Sequence, residues 1–313
     1  MNHKKTLRGS LLLLLGSIIW GFAFVAQRIG MDSMQPISFN GIRNLMAGVC
    51  LIPVCAFAEY RSVGMKPVSS SQKRAQRTGG LLCGLFLLLA STLQQAGLVE
   101  STAGKAGFVT ALYVVLVPVL AWFLFRKSPG KWICLSVFLA VAGLYLLCVP
   151  TGEHFSLGQS DLLLLGCAIS FSGQILCVDH YSSRVRPVRL SRDQFLVCGT
   201  LGTLLSLLTE TITWNGICQA LPSLLYAGVM SGAVAYTLQI LGQRDLNPTL
   251  ASLLMCLESV FSVIGGALLL GEHLSSREMI GCIIMFTAVV LAQISPLLLK
   301  AGNKEESSSA PHS

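Results

Sequence analysis

Thr92–Gly97 reads T-L-Q-Q-A-G, and Thr237–Gly242 reads T-L-Q-I-L-G. The two stretches share the pattern T-L-Q-x-x-G at a separation of 145 residues. The same offset aligns the next spans without gaps: Ala106 with Ala251, Leu112 with Leu257, Val115 with Val260, Leu146 with Leu291. At an offset of 150, Leu12–Gly16 matches Leu162–Gly166 as L-L-L-L-G. The chain therefore reads as two related halves, residues 1–150 and 151–300, with a polar tail at 301–313 that is expected to be disordered.

The surroundings of these repeats are apolar. Of 313 residues, 53% are hydrophobic and only 12% charged, and the mean hydropathy is +0.69. A soluble domain carries roughly 25% charged residues, so this chain has too little polar surface to cover a globule in water. A helix needs about 20 apolar residues to cross the hydrocarbon core. Ten stretches meet that need: Leu11–Arg28, Ile37–Phe57, Gly80–Leu98, Ala106–Phe125, Trp132–Val149, Asp161–Val178, Phe195–Ile212, Leu221–Leu241, Thr249–Leu270 and Met279–Leu299. The expected fold is an all-α membrane protein of ten transmembrane helices, arranged as two inverted five-helix repeats. Five is odd, so the second copy enters the bilayer from the opposite side. Such inversion is a signature of secondary transporters.

Charge placement gives the orientation. With the N-terminus in the cytoplasm, eighteen of the 22 Lys and Arg fall on the inner side. Arg28, Lys105 and Arg277 fall outside, and Arg43 lies within a span. This alternation matches the bias of cytoplasmic loops toward Lys and Arg. Both termini are thus expected in the cytoplasm, with the protein in the plasma membrane. The same pattern explains the net charge of +8 as topology, so nucleic acid is not an expected partner. The five histidines all lie in loops or tails, and the eleven cysteines form no CxxC pair. Neither a metal site nor any other cofactor is expected. The chain has no G-x-x-x-x-G-K-[ST] loop for ATP. The alternative of an intramembrane enzyme finds no G-x-S-x-G, no H-E-x-x-H and no histidine within a span. A membrane scaffold finds little loop surface for partners.

The run Ser101–Pro118 (S-T-A-G-K-A-G-F-V-T-A-L-Y-V-V-L-V-P) resembles the fourth helix of the EamA family of the drug/metabolite transporter superfamily. Leu253–Glu272, ending L-L-L-G-E, resembles that family's ninth helix. Gly21 after Trp20 and Arg43 in the second helix fit the same pattern. The first half departs from it at Phe125-Arg126-Lys127, where L-G-E is usual, and the second at Glu258-Ser259, where Glu-Pro is common. The resemblance implies a ten-helix metabolite permease or exporter working without ATP hydrolysis; the expected cargo is a small metabolite, an amino acid-like solute or a drug, moved by alternating access. The expected partners are that solute and the lipid bilayer, with protons as a candidate coupling ion beside a solute gradient or simple facilitated passage.

Polar residues at membrane depth are the candidates for binding, because each is costly unless it is paired or lines a cavity. Glu258 lies about ten residues into its span, near the midplane at ~1.5 Å per residue. It reads either as a cavity group for a cation or proton, or as a carboxyl buried for structure. Its counterpart at offset 145 is Tyr113. Arg43 either snorkels outward or faces the centre and holds a carboxylate. With Glu258 it would then suit a zwitterion. Trp20 lies mid-span, away from the interfacial belt. Gln94, Gln174, Tyr236 and Gln239 complete the candidate set. Gln94 and Gln239 are the glutamines of the repeated T-L-Q. Pro118 is expected to kink the fourth span.

Overall fold

The computed structural model describes residues 3–60, 69–99, 103–126, 130–149, 158–270 and 275–308. Among them are no strands. The helices are α1 (His3–Met31), α2 (Pro36–Tyr60), α3 (Ser70–Val99), α4 (Ala103–Ala111), α5 (Tyr113–Phe125), α6 (Lys131–Cys148) and α7 (Gln159–Ser182). They continue with α8 (Pro187–Thr209), α9 (Trp214–Leu225), a π-helical segment (Tyr226–Ala235), α10 (Tyr236–Gln243), α11 (Pro248–Met255), α12 (Glu258–Leu270) and α13 (Ser276–Ser308). Eight helical runs among the described residues are long and apolar enough to cross a membrane. The run Lys131–Leu147 is apolar but shorter, and α8 opens with Arg189, Arg192 and Asp193. The molecule is a multi-pass membrane protein.

Three expected spans are not continuous α-helices. The fourth breaks at Leu112, between α4 and α5, and the ninth at Cys256 and Leu257, between α11 and α12. These positions correspond at the 145-residue offset. At both breaks the backbone tightens: Leu112 N donates to Val109 O at 3.3 Å and Leu257 N to Leu254 O at 3.2 Å. Pro118 lies inside α5, so it does not make the break, and the second copy breaks without a proline. The eighth span widens into ten residues of π-helix, a geometry found mostly as single turns and often at functional sites. At the C-terminal end α13 runs to Ser308. It thus runs into the polar tail as far as residue 308. The terminal Gly271-Glu272 of the L-L-L-G-E match lies outside the described residues.

The two halves pack into each other. Helix α2 lies along α8, α3 along α7, α6 along α13, and α1 against α12. Glycines permit these approaches. A Cβ on Gly41 would meet Thr203 N at 2.6 Å and Gly202 C at 2.7 Å, and one on Gly199 would collide with the backbone of Leu45. Gly143 and Gly281 play the same part between α6 and α13, where a Cβ on Gly281 would meet Gly143 O at 2.8 Å. Such contacts drive helix association in lipid, where water no longer supplies a hydrophobic force. Gly199→Val is therefore expected to destabilise the fold by about 1–3 kcal/mol. In a detergent thermal melt it should lower the midpoint by several degrees. Gly107→Ala, where a Cβ meets nothing within 4 Å, should leave the midpoint in place.

Candidate functional site: a central polar cavity

The two helix breaks meet at the centre of the bundle. Tyr113 is the first residue of α5 and Glu258 the first of α12. Tyr113 Oη donates to Glu258 Oε1 at 3.2 Å. The residues paired by the sequence repeat are thus paired in space, and Cys256 Sγ likewise reaches Ala111 O at 4.0 Å, again 145 residues apart.

All eight candidate residues line one cavity: Trp20, Arg43, Gln94, Tyr113, Gln174, Tyr236, Gln239 and Glu258. It measures ≈ 60 Å³, against about 300–1,000 Å³ for pockets that enclose small ligands, so its walls stand close together. Helices from both halves form those walls: α1, α2, α3 and α5 from the first, α7, the π-helical segment, α10, α11 and α12 from the second.

Arg43 does not snorkel. Its residue is 8% exposed, and Asn40, one turn earlier on α2, accepts from its Nε at 3.1 Å and its Nη2 at 2.9 Å. Asn44 Nδ2 donates to the same Asn40 Oδ1 at 3.0 Å, and Asn40 Nδ2 donates to Ser91 Oγ at 2.9 Å. This neutral network fixes the guanidinium without cancelling its charge. Among the described residues Arg43 forms no ion pair, with Glu258 or any other carboxylate, and its Nη1 has no protein partner. A charge held this way at depth costs a few kcal/mol. An anionic ligand would offset that cost.

A glutamine relay forms a second wall. Gln239 Nε2 donates to Gln174 Oε1 at 3.1 Å, and Gln174 Nε2 to Gln194 Oε1 at 3.2 Å. Among the described residues Gln239 Oε1 and the cavity-lining Gln27 Oε1 are buried acceptors without a donor. Aromatic rings close the third side. Trp20 packs edge-on against Tyr236, centroids 4.9 Å apart, and Tyr236 against Phe195 at 5.1 Å. Trp20 Nε1 donates to the backbone carbonyl of Ser231 in the π-helical segment at 3.2 Å, which satisfies the indole without using a cavity side chain.

Phe24, Gln27, Ser91, Phe171 and Ser231 also line the cavity, and the sequence reading does not find them. Phe24 and Gln27 sit four and seven residues after Trp20, and Phe171 three before Gln174. Helical spacing from the candidate residues would reach them. No such rule reaches Ser231, because a π-helix does not keep the 3.6-residue period. Gln95, next to Gln94 in the sequence, is buried outside the cavity with both amide atoms unpartnered among the described residues.

The geometry gives Tyr113 a secondary part. Tyr113→Phe removes one neutral donor to Glu258 and keeps the ring, so a loss of at most about tenfold in uptake is expected. Proteoliposome uptake with matched protein content checks this.

The model of the EamA-like transporter family matches residues 7–149 and 159–293, one copy in each half. The chain is 28% identical to an uncharacterized transporter of Archaeoglobus fulgidus, over 93% of this chain and 87% of that one. It is 26% identical to the uncharacterized inner membrane transporter YedA of Escherichia coli, over 91% and 90%. A chloroplastic WAT1-related protein of Arabidopsis thaliana is 28% identical, over 87% of this chain and 66% of its own. A solved crystal structure superposes with a TM-score of 0.75 at 17% identity, covering 93% of this chain and 98% of that one, a likeness of fold.

Proposed function

Because the chain belongs to the EamA-like transporter family, we propose that its central cavity binds a small zwitterionic solute of the amino acid class and releases it on the other side of the membrane. The protein is a membrane transporter. The observation that carries the proposal is that Arg43 and Glu258 face one cavity and do not pair with each other. A buried cation and a buried carboxyl that ignore one another are left to bind opposite ends of a guest. On this reading Arg43 receives a carboxylate through Nη1, Glu258 receives the ammonium, and Gln27 and Gln239 add acceptors. The aromatic rings of Trp20 and Tyr236 cover the side chain.

Access alternates. The contracted cavity supports this, since a solute can enter only when the halves part on one side. The breaks before Tyr113 and Glu258 supply hinges at the binding level, as discontinuous helices do in transporters built from inverted repeats. Ten spans as two five-helix repeats (residues 1–150 and 151–300), both termini in the cytoplasm and a place in the cytoplasmic membrane complete this reading. Protons are the proposed coupling ion, with Glu258 their carrier. No covalent chemistry is assigned to the protein.

The test is uptake of radiolabelled amino acids by reconstituted proteoliposomes, with and without a pH gradient. Accumulation of at least one zwitterion above empty vesicles supports the reading. A protein active only on amines or only on anions contradicts it.

A further inference from the structure

A second cavity lies at the end of the bundle where α3 begins and α7 passes into α8. It measures ≈ 1110 Å³. Seven Lys and Arg side chains line it, against one carboxylate, Asp193. Two of the cations are neutralised: Arg192 pairs with Asp193 at 2.7 Å, and Arg189 with Glu59 at 2.6 Å. The second oxygen of Asp193 is also occupied, by Gln76 Nε2 at 2.8 Å. Lys73, Arg77, Arg184 and Arg244 form no ion pair among the described residues. They come from three elements: α3, the turn after α7 and the end of α10. Topology alone asks only that cations lie on this side. It does not ask that four of them converge unpaired on one bowl.

The floor of the bowl is apolar. Leu81, Leu196 and Val197 line it, and Leu81 is 49% exposed. From there the exposed stripe continues along α3 through Leu85 at 41% and Leu89 at 51%, spaced four residues apart on one face. The bowl therefore opens onto the hydrocarbon-facing side of α3. A ligand matching it has a multiply charged anionic head and an acyl tail.

We propose that this bowl is a binding site for an anionic phospholipid, its phosphate groups held by Lys73, Arg77, Arg184 and Arg244 and one acyl chain lying along Leu81, Leu85 and Leu89. Basic pockets between transmembrane helices take such headgroups. Arginine binds phosphate in a bidentate fork, and three of the four are arginines. The site is separate from the central cavity and shares no lining residue with it.

Native mass spectrometry of the full chain, released from micelles with added cardiolipin or phosphatidylcholine, tests the proposal. The wild type is expected to retain cardiolipin and lose phosphatidylcholine. The variant K73Q/R77Q/R184Q/R244Q is expected to bind cardiolipin roughly 1,000-fold more weakly. Its thermal midpoint in phosphatidylcholine should match the wild type, which separates lost binding from lost folding. K4Q/K5Q, which changes cations outside the bowl, should bind as the wild type does. Equal retention by the wild type and the quadruple variant would overturn the site. Protection of the wild type by millimolar inorganic phosphate, with no retained lipid, would overturn the lipid assignment and leave a soluble phosphate as the ligand.

Discussion

Arg43→Gln should cut uptake of zwitterionic solutes by about 30-fold or more in initial rate at subsaturating solute. The magnitude reflects removal of one partner of a desolvated charge contact, which costs about 2–5 kcal/mol. Glutamine is shorter, neutral and still able to bond with Asn40, so the α2 network with Asn44 and Ser91 can persist. The cavity should keep its shape while losing its positive end. Arg43→Lys retains the charge and loses the planar fork, since lysine is a point charge on a flexible stem. Partial recovery, within about tenfold of the wild type, is expected. The discriminating solute is the decarboxylated amine of the same amino acid. It has no carboxylate for Arg43 to hold, so its transport by Arg43→Gln should match its transport by the wild type. Proteoliposome uptake of the two solutes side by side checks both halves of the prediction.

Glu258→Gln should produce the complementary defect. The amide is isosteric with the carboxyl and can still accept from Tyr113 Oη, so the contact between the two helix breaks survives. What disappears is the negative end and, among the described residues, the only cavity-lining carboxyl. Zwitterion uptake should again fall by about 30-fold or more. Residual transport should no longer respond to a pH gradient, because a neutral amide carries no proton. Uptake measured with inside-acid, inside-alkaline and symmetric vesicles tests this. A variant that still responds to the gradient would move proton coupling away from Glu258.

The repeat is legible in the sequence because it rests on identities. T-L-Q-x-x-G recurs with both glutamines on the cavity wall, and one offset pairs Tyr113 with Glu258, which the structure joins by a hydrogen bond. The candidate residues are legible because a polar side chain in an apolar run is costly and so conspicuous. Arg43 illustrates the limit. Its sequence context leaves snorkelling and centre-facing placements equally open, and only the clamp by Asn40 decides between them. The helix breaks at Leu112 and Leu257 leave no mark in the sequence, because leucine there suits a continuous helix as well. Pro118 points to a place six residues too late in the chain. The π-helical turn is hidden for a similar reason: Y-A-G-V-M-S-G-A-V-A is small and apolar in any helix. Backbone irregularity of this kind is decided by packing between halves, which a one-dimensional pattern does not carry.

The central claim is that one zwitterion spans Arg43 and Glu258. It is tested most directly by three-solute uptake in proteoliposomes, using an amino acid, its decarboxylated amine and its deaminated acid. The wild type is predicted to carry the amino acid best. Arg43→Gln is predicted to lose the amino acid and the acid but not the amine, and Glu258→Gln to lose the amino acid and the amine but not the acid. Equal loss of all three solutes in both variants, or no loss in either, would contradict the claim.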